Sequence, residues 1–181
     1  MDKLFTLALL GVAAPALAQP MPQAPGIQAR TTAATYVAMA ASSDTYERES
    51  SQVALQHAAN PDVRNFAQMM VNDHANTSAQ VMAAAKAASI GKPGGPNPKH
   101  AAMLKELRAL PHATLERGYV DQQVLAHEEA LALHQGYAAQ GDNPGLRAVA
   151  ASAVPIIERH LAEIRRIQTA MGGPLTGSRG S

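Results

Sequence analysis

Four polar residues, Glu47, His74, His127 and His160, interrupt helical stripes that are otherwise mostly apolar. Together they have the chemistry of a metal-ligand set. Imidazole nitrogens and carboxylate oxygens are donors that zinc, copper and iron all accept. His74 is the clearest case: Val63, Phe66, Ala67, Met70, His74, Thr77 and Val81 follow at steps of three and four, the spacing of one helical face. A titratable ring in such a stripe is either a hydrogen-bonded core histidine or a ligand, because burying it unpaired costs free energy. Asp44 and Glu116 are candidate supporting carboxylates on the faces of Glu47 and His127. Met70, one turn before His74, would suit copper(I) or simply pack the core.

The same chain lacks a conventional carboxylate-bridged di-iron pattern. Such centres take Glu-x-x-His from two helices and a lone Glu from each of two others. Val71 and Ile157 stand where those glutamates would precede His74 and His160. Asp73 and Glu158 are turned about 100° and 160° from the two faces. A mononuclear, histidine-rich site is therefore the metal reading. A metal-free His–Glu hydrogen-bond network is the alternative. A bundle that loosens on acidification, as buried neutral histidines gain charge, is a third. No phosphate loop, nucleophile elbow or His-Glu-x-x-His helix is present, so the sequence names no reaction. His57, His100 and His112 fall near helix ends and read as surface residues.

Four long helices must position these groups. The first is expected over about 32–59, with Val37, Ala40, Asp44, Glu47, Ser51, Ala54 and Ala58 as its inner seam. Asn60 caps the second, which starts at Pro61 and runs to about Ser89. Gly91 to Lys99, with three prolines, breaks the chain, and a short helix over His100–Leu110 follows. The third long helix spans about His112–Gln140. Asn143 caps the fourth, which starts at Pro144, contains Pro155, and carries Val149, Ala153, Ile156, His160, Ile164, Ile167 and Met171.

Asn60-Pro61-x-Val63-Arg64-x-Phe66-Ala67 is echoed by Asn143-Pro144-x-Leu146-Arg147-x-Val149-Ala150, which marks two similar helical hairpins. Two hairpins packed together give an all-α four-helix bundle. Glu47 and His74 lie thirteen and fourteen positions from Asn60, and His127 and His160 sixteen and seventeen from Asn143. All four thus fall near helix midpoints and in one layer. Whether the connection 91–111 is a local loop or a crossover along the bundle is left open at this level.

Composition narrows the compartment and the partners. Among 181 residues there is no cysteine or tryptophan, and the formal net charge is +1. Neither a basic patch for nucleic acid nor stacking platforms are present. Leu4–Leu17 is apolar but broken by Gly11 and Pro15, and Ala16-Leu17-Ala18 has the form of a signal-peptidase site. The expected organisation is a signal peptide over 1–18 cleaved after Ala18, a disordered leader over 19–31, a bundle domain over 32–171 and a tail over 172–181. This describes a periplasmic or secreted protein with no transmembrane segment.

Asp44-Thr-Tyr-Glu47, Ala54, Asn60-Pro-Asp-Val63-Arg64-Asn-Phe66-Ala67, Met70 and Asp73-His74 resemble the bacterial exported family called domain of unknown function 4142. The later blocks Leu115-Glu116-Arg-Gly-Tyr119-Val120, Gln123-Val124, His127, Leu146-Arg147, Ala150, Pro155 and His160-Leu161 match as well. Leu115-Glu116 departs from the family's usual Phe-Asp. The resemblance covers nearly the whole chain after Ala18. It implies a ferritin-like bundle, favours the crossover, and brings no agreed activity. Members often carry an outer-membrane label, although nothing in this sequence suits a β-barrel.

Overall fold

A computed structural model describes residues 31–91 and 93–173. The expected signal peptide, with its cleavage point, lies outside the described residues, as do nearly all of the leader and most of the tail. Five helices follow one another: α1 (Ala33–His57), α2 (Pro61–Ala87), α3 (Pro98–Ala109), α4 (His112–Gln140) and α5 (Pro144–Ala170). No strand occurs among the described residues.

Local chemistry sets most of the boundaries. Asn60 Oδ1 accepts from the N–H groups of Asp62 (2.9 Å) and Val63 (3.4 Å), and Asn143 Oδ1 accepts from Leu146 N–H (3.0 Å). The arginines of the two echoed motifs act alike. Arg64 donates to the carbonyls of Leu55 and Ala58, and Arg147 to that of Gly141, so each ties its helix back to the end of the preceding one. A third Asn-Pro pair, Asn97-Pro98, starts α3 two residues earlier than expected, with Asn97 Oδ1 accepting from His100 N–H at 2.8 Å. Pro155 lies inside an unbroken α5.

Side-chain pairs fix the topology. Along α1 and α4, Tyr36 meets His134, Tyr46 meets Gln122 and Ser51 meets Tyr119, so the two helices are antiparallel. Along α2 and α5, Asp62 meets Arg166 and Asp73 meets His160, which is again antiparallel. Hence α2 and α4 point the same way, and the chain between them must travel the length of the bundle. It does so with α3 laid along α1, where Ser42 meets His100 and Glu49 meets Arg108. This is a four-helix bundle with one long crossover, the connectivity of ferritin-like folds.

The α3 crossing corrects one expectation. His100 is buried, at 6% exposure, because α3 docks that ring flat against Tyr46, with ring centroids 5.3 Å apart. His57 and His112 are exposed as expected, and their rings touch edge to face. The expected seam of α1 is buried at all seven positions. On α5 the buried arc is wider and rotated. Leu146, Ala150, Ile157 and Leu161 are buried, while Val149 and Ile156 are only half-buried, since α5 packs against both α2 and α4.

Two apolar clusters occupy the ends of the bundle. One gathers Ala54, Val63, Phe66, Met70, Val120, Val124, Leu161 and Ile164 near the α1–α2 turn. The other gathers Tyr36, Val37, Val81, Ala85, Tyr137 and Leu146 near the α4–α5 turn. Each fully buried large apolar side chain in them contributes about 1.5–3 kcal/mol. Between the two clusters lies a polar layer.

Candidate metal centre

Each long helix contributes one group to that layer: Glu47 from α1, His74 from α2, His127 from α4 and His160 from α5. All four are buried, and Glu47, His127 and His160 are at most 2% exposed. The ring centroids of the three histidines are 5.7 to 6.4 Å apart. One nitrogen of each lies within 4.8 Å of those of the other two. Three nitrogens at that limit sit about 2.8 Å from a common centre. Inward shifts of less than about 1 Å per ring would bring them to the 2.0–2.1 Å of a metal–imidazole bond.

Hydrogen bonding fixes which nitrogens are free. His74 Nδ1–H donates to Asp44 Oδ1 at 2.7 Å, His127 Nδ1–H to the Gln123 carbonyl at 2.8 Å, and His160 Nε2–H to Asp73 Oδ2 at 2.9 Å. A carboxylate and a carbonyl can only accept, so each of these ring nitrogens carries the proton. The opposite nitrogens, His74 Nε2, His127 Nε2 and His160 Nδ1, are buried and make no hydrogen bond. In the neutral rings their lone pairs are therefore unshared. An outer oxygen that sets the tautomer and aims the other nitrogen is the support that metal-ligating histidines receive.

Glu47 closes the set. Its Oε2 lies 3.1 Å from His74 Nε2, at an angle that makes no hydrogen bond, and Ser43 Oγ donates to Oε1 at 3.3 Å. Burial pushes the Glu47 carboxyl up to about 7; the neighbouring His74 pulls it down and Asp44 pushes it up. Burial pushes His127 down to about 3, and it also lowers His160 against the pull of Asp73. Both rings are thus neutral near pH 7, the form that binds metal. For His74, burial is the largest single influence and favours the neutral ring. The carboxylates of Glu47, Asp44 and Asp73 together outweigh it, so its pKa is raised.

The sequence profile of domain of unknown function DUF4142 matches residues 17–167. The chain belongs to this family. No curated protein matches this DUF4142 chain. Among solved structures it resembles a DUF305 fragment from Deinococcus radiodurans at 15% identity and TM-score 0.67, covering 76% of this chain and 95% of that one. A DUF305 protein of Streptomyces coelicolor, predicted to be secreted, aligns at 15% identity and TM-score 0.66, over 82% of this chain and 98% of that one. CopM in its Cu(II)-bound form aligns at 14% identity and TM-score 0.66, over 78% and 99%. At these identities the likeness is one of fold. No helix among the described residues is long and apolar enough to cross a membrane.

The other expected site residues of this DUF4142 protein fall in three places. Asp44 holds His74 from outside the layer and also accepts from Thr77 and Ser78. Met70 is fully buried in the apolar cluster beside Phe66. Glu116 is not brought to the layer. Because α4 runs antiparallel to α1, its Oε1 reaches the α1–α2 turn and accepts from the N–H groups of Ala59 and Asn60. Asp73 and the Gln123 carbonyl do the orienting work that sequence reasoning missed. Asp73 is turned away from the core stripe of α2, and that same turn points it at α5. The adjacency of Asp73 to His74 was a visible signal whose target depended on helix order.

Proposed function

We propose that this protein is an exported metal-binding bundle that holds one transition-metal ion in its central layer. His74, His127 and His160 supply three neutral nitrogens and Glu47 supplies an oxygen. Asp44, Asp73 and the Gln123 carbonyl orient the rings. One observation carries this reading: three buried histidines each bring a nitrogen within 4.8 Å of the others', and each keeps one buried nitrogen unbonded while the opposite edge of the ring donates to an oxygen. A buried polar atom without a partner costs about 1–3 kcal/mol, and a single ion would satisfy all three. Three imidazoles with one carboxylate suit zinc or copper, and copper(II) binds such sites most tightly in the divalent series. Fold likeness to a copper-bound protein is consistent with this choice. The signal-like first eighteen residues and the likeness to a protein predicted to be secreted support a periplasmic or secreted setting, where the role would be metal handling.

A metal-free network is the second reading, and the raised His74 pKa favours it. A protonated His74 ring would sit between Asp44 and Glu47 as an ion pair. That arrangement leaves His127 Nε2 and His160 Nδ1 unbonded. The two readings part in one experiment. Untagged protein is purified, its metals are counted by mass spectrometry, and zinc, copper and iron are titrated into wild type and His127→Leu. One ion per chain in wild type and none in the variant supports the site. Background metal, with no shift in melting temperature on any addition, would leave the network.

A further inference from the structure

A cavity of about 50 Å³ runs beside the central layer. Glu47, His74 and His160 form part of its inner wall, while His127 is not among its lining residues. From there the lining passes to half-buried Met82 and exposed Gln80, so the cavity leads toward the surface on the α2 side. Its remaining wall is mostly aliphatic, with Val81, Val149, Ala153 and Ile157 among the side chains. Resting on the metal reading above, we infer that this cavity admits a small uncharged molecule, of the size and polarity of dioxygen or carbon monoxide, to the face of the centre bounded by Glu47, His74 and His160.

Size, wall chemistry and charge each narrow the occupant. The volume takes a molecule of a few heavy atoms and excludes an organic substrate of ordinary size. An anion would have to shed water beside the carboxyl groups of Asp44 and Glu47, both of which line the cavity. An aliphatic wall gives a strongly polar molecule too few hydrogen bonds to offset its desolvation. A weakly polar diatomic molecule needs none.

The hydroxyls of Ser43, Thr77 and Ser78 also line the cavity, but they donate to Glu47 and Asp44. His134 also lines the cavity, and its Nδ1 lies 3.1 Å from the Tyr36 hydroxyl. His134 Nε2 lies outside that pair, and it donates or accepts according to the tautomer of the ring.

The test uses the full mature chain loaded with copper(I) and exposed to carbon monoxide, read by the infrared C–O stretch. Wild type is expected to show one band, with one carbon monoxide per copper. Ala153→Leu, which fills the cavity, is expected to keep its copper and weaken the band at least about tenfold. Val149→Phe, at a half-buried position, serves as a second block should Ala153→Leu fail to fold. Bands of wild-type strength in both blocked variants would overturn the inference. Copper-loaded wild type with no band, or one that takes up azide on copper(II) but no carbon monoxide, overturns it while leaving the metal site standing. Wild type that holds no copper, zinc or iron overturns both.

Discussion

His100 and His134 are buried much like the three histidines of the central layer, but their surroundings do different work. Asn97 N–H donates to Ser42 Oγ, and Ser42 Oγ pairs with His100 Nδ1 at 2.7 Å, while Tyr46 stacks on the ring. His134 pairs with the Tyr36 hydroxyl, whose ring meets it edge to face. Neither ring has a buried nitrogen lacking a hydrogen bond. Hydroxyl partners can donate or accept, so they fit either tautomer of the ring. The carboxylates and carbonyl behind His74, His127 and His160 can only accept, so the opposite nitrogen of each ring is left buried without a hydrogen bond. Burial is common to both sets, and what separates them is the kind of partner and where the second nitrogen is left pointing.

The contrast can be broken most sharply at His127. His127→Leu removes an unbonded polar atom at similar volume, so the metal-free protein is expected to melt no lower than wild type. Its metal affinity is expected to fall by at least about a hundredfold, read by competition with a chromophoric chelator. Equal affinity would mean that the central layer is no different from the His100 niche.

Acid stability probes the other set. Burial pushes His134 down to about 4, below its ordinary 6.5. Between those pH values the unfolded chain binds more protons than the folded one, so stability falls as pH drops from 6.5 toward 4. This group alone accounts for on the order of 3 kcal/mol across that window. Denaturant melts of metal-free His134→Leu should show a shallower loss over the same range. An unchanged pH slope would show that His134 stays solvated.

Asp73→Asn tests the orienting oxygens. An amide can donate as well as accept, so it no longer dictates the His160 tautomer. Metal affinity is expected to fall about 10–100-fold, with little change in the melting of the metal-free protein. The smallest effect is expected at Ser42→Ala, which strips His100 of its partner. It should cost about 1 kcal/mol of stability by thermal or denaturant melting and leave metal affinity at the wild-type value. A loss of affinity there would join the two regions that geometry separates.

The fold was legible because its signals are local. Asn-Pro caps, glycine and proline breaks and a stripe at helical spacing each act over a few residues, and they placed the four long helices to within about two positions. The layer of Glu47, His74, His127 and His160 was legible for the same reason, since distance from a turn fixes depth in a bundle. Residues whose meaning depends on which helices are neighbours were not. Glu116 shares a face with His127 but meets the α1–α2 turn because α1 and α4 are antiparallel. Asp73 reaches His160 only because α5 lies beside α2. His100 is buried only because α3 docks on α1. Each of these depends on the crossover, which the turn chemistry does not encode.

One consequence of that layer concerns the order of events in folding. No hairpin contains a full donor set: α1–α2 holds Glu47 and His74, and α4–α5 holds His127 and His160. Asp73 and His160, which must touch for the layer to be complete, are 87 positions apart along the chain. Contacts so far apart in sequence carry a larger loop-closure cost than those within either hairpin, which predicts that the two hairpins dock after each has formed. Under the proposed metal reading, tight chelation would be a property of the finished tertiary structure alone, and ion capture would act as a latch on assembly that neither hairpin could engage by itself.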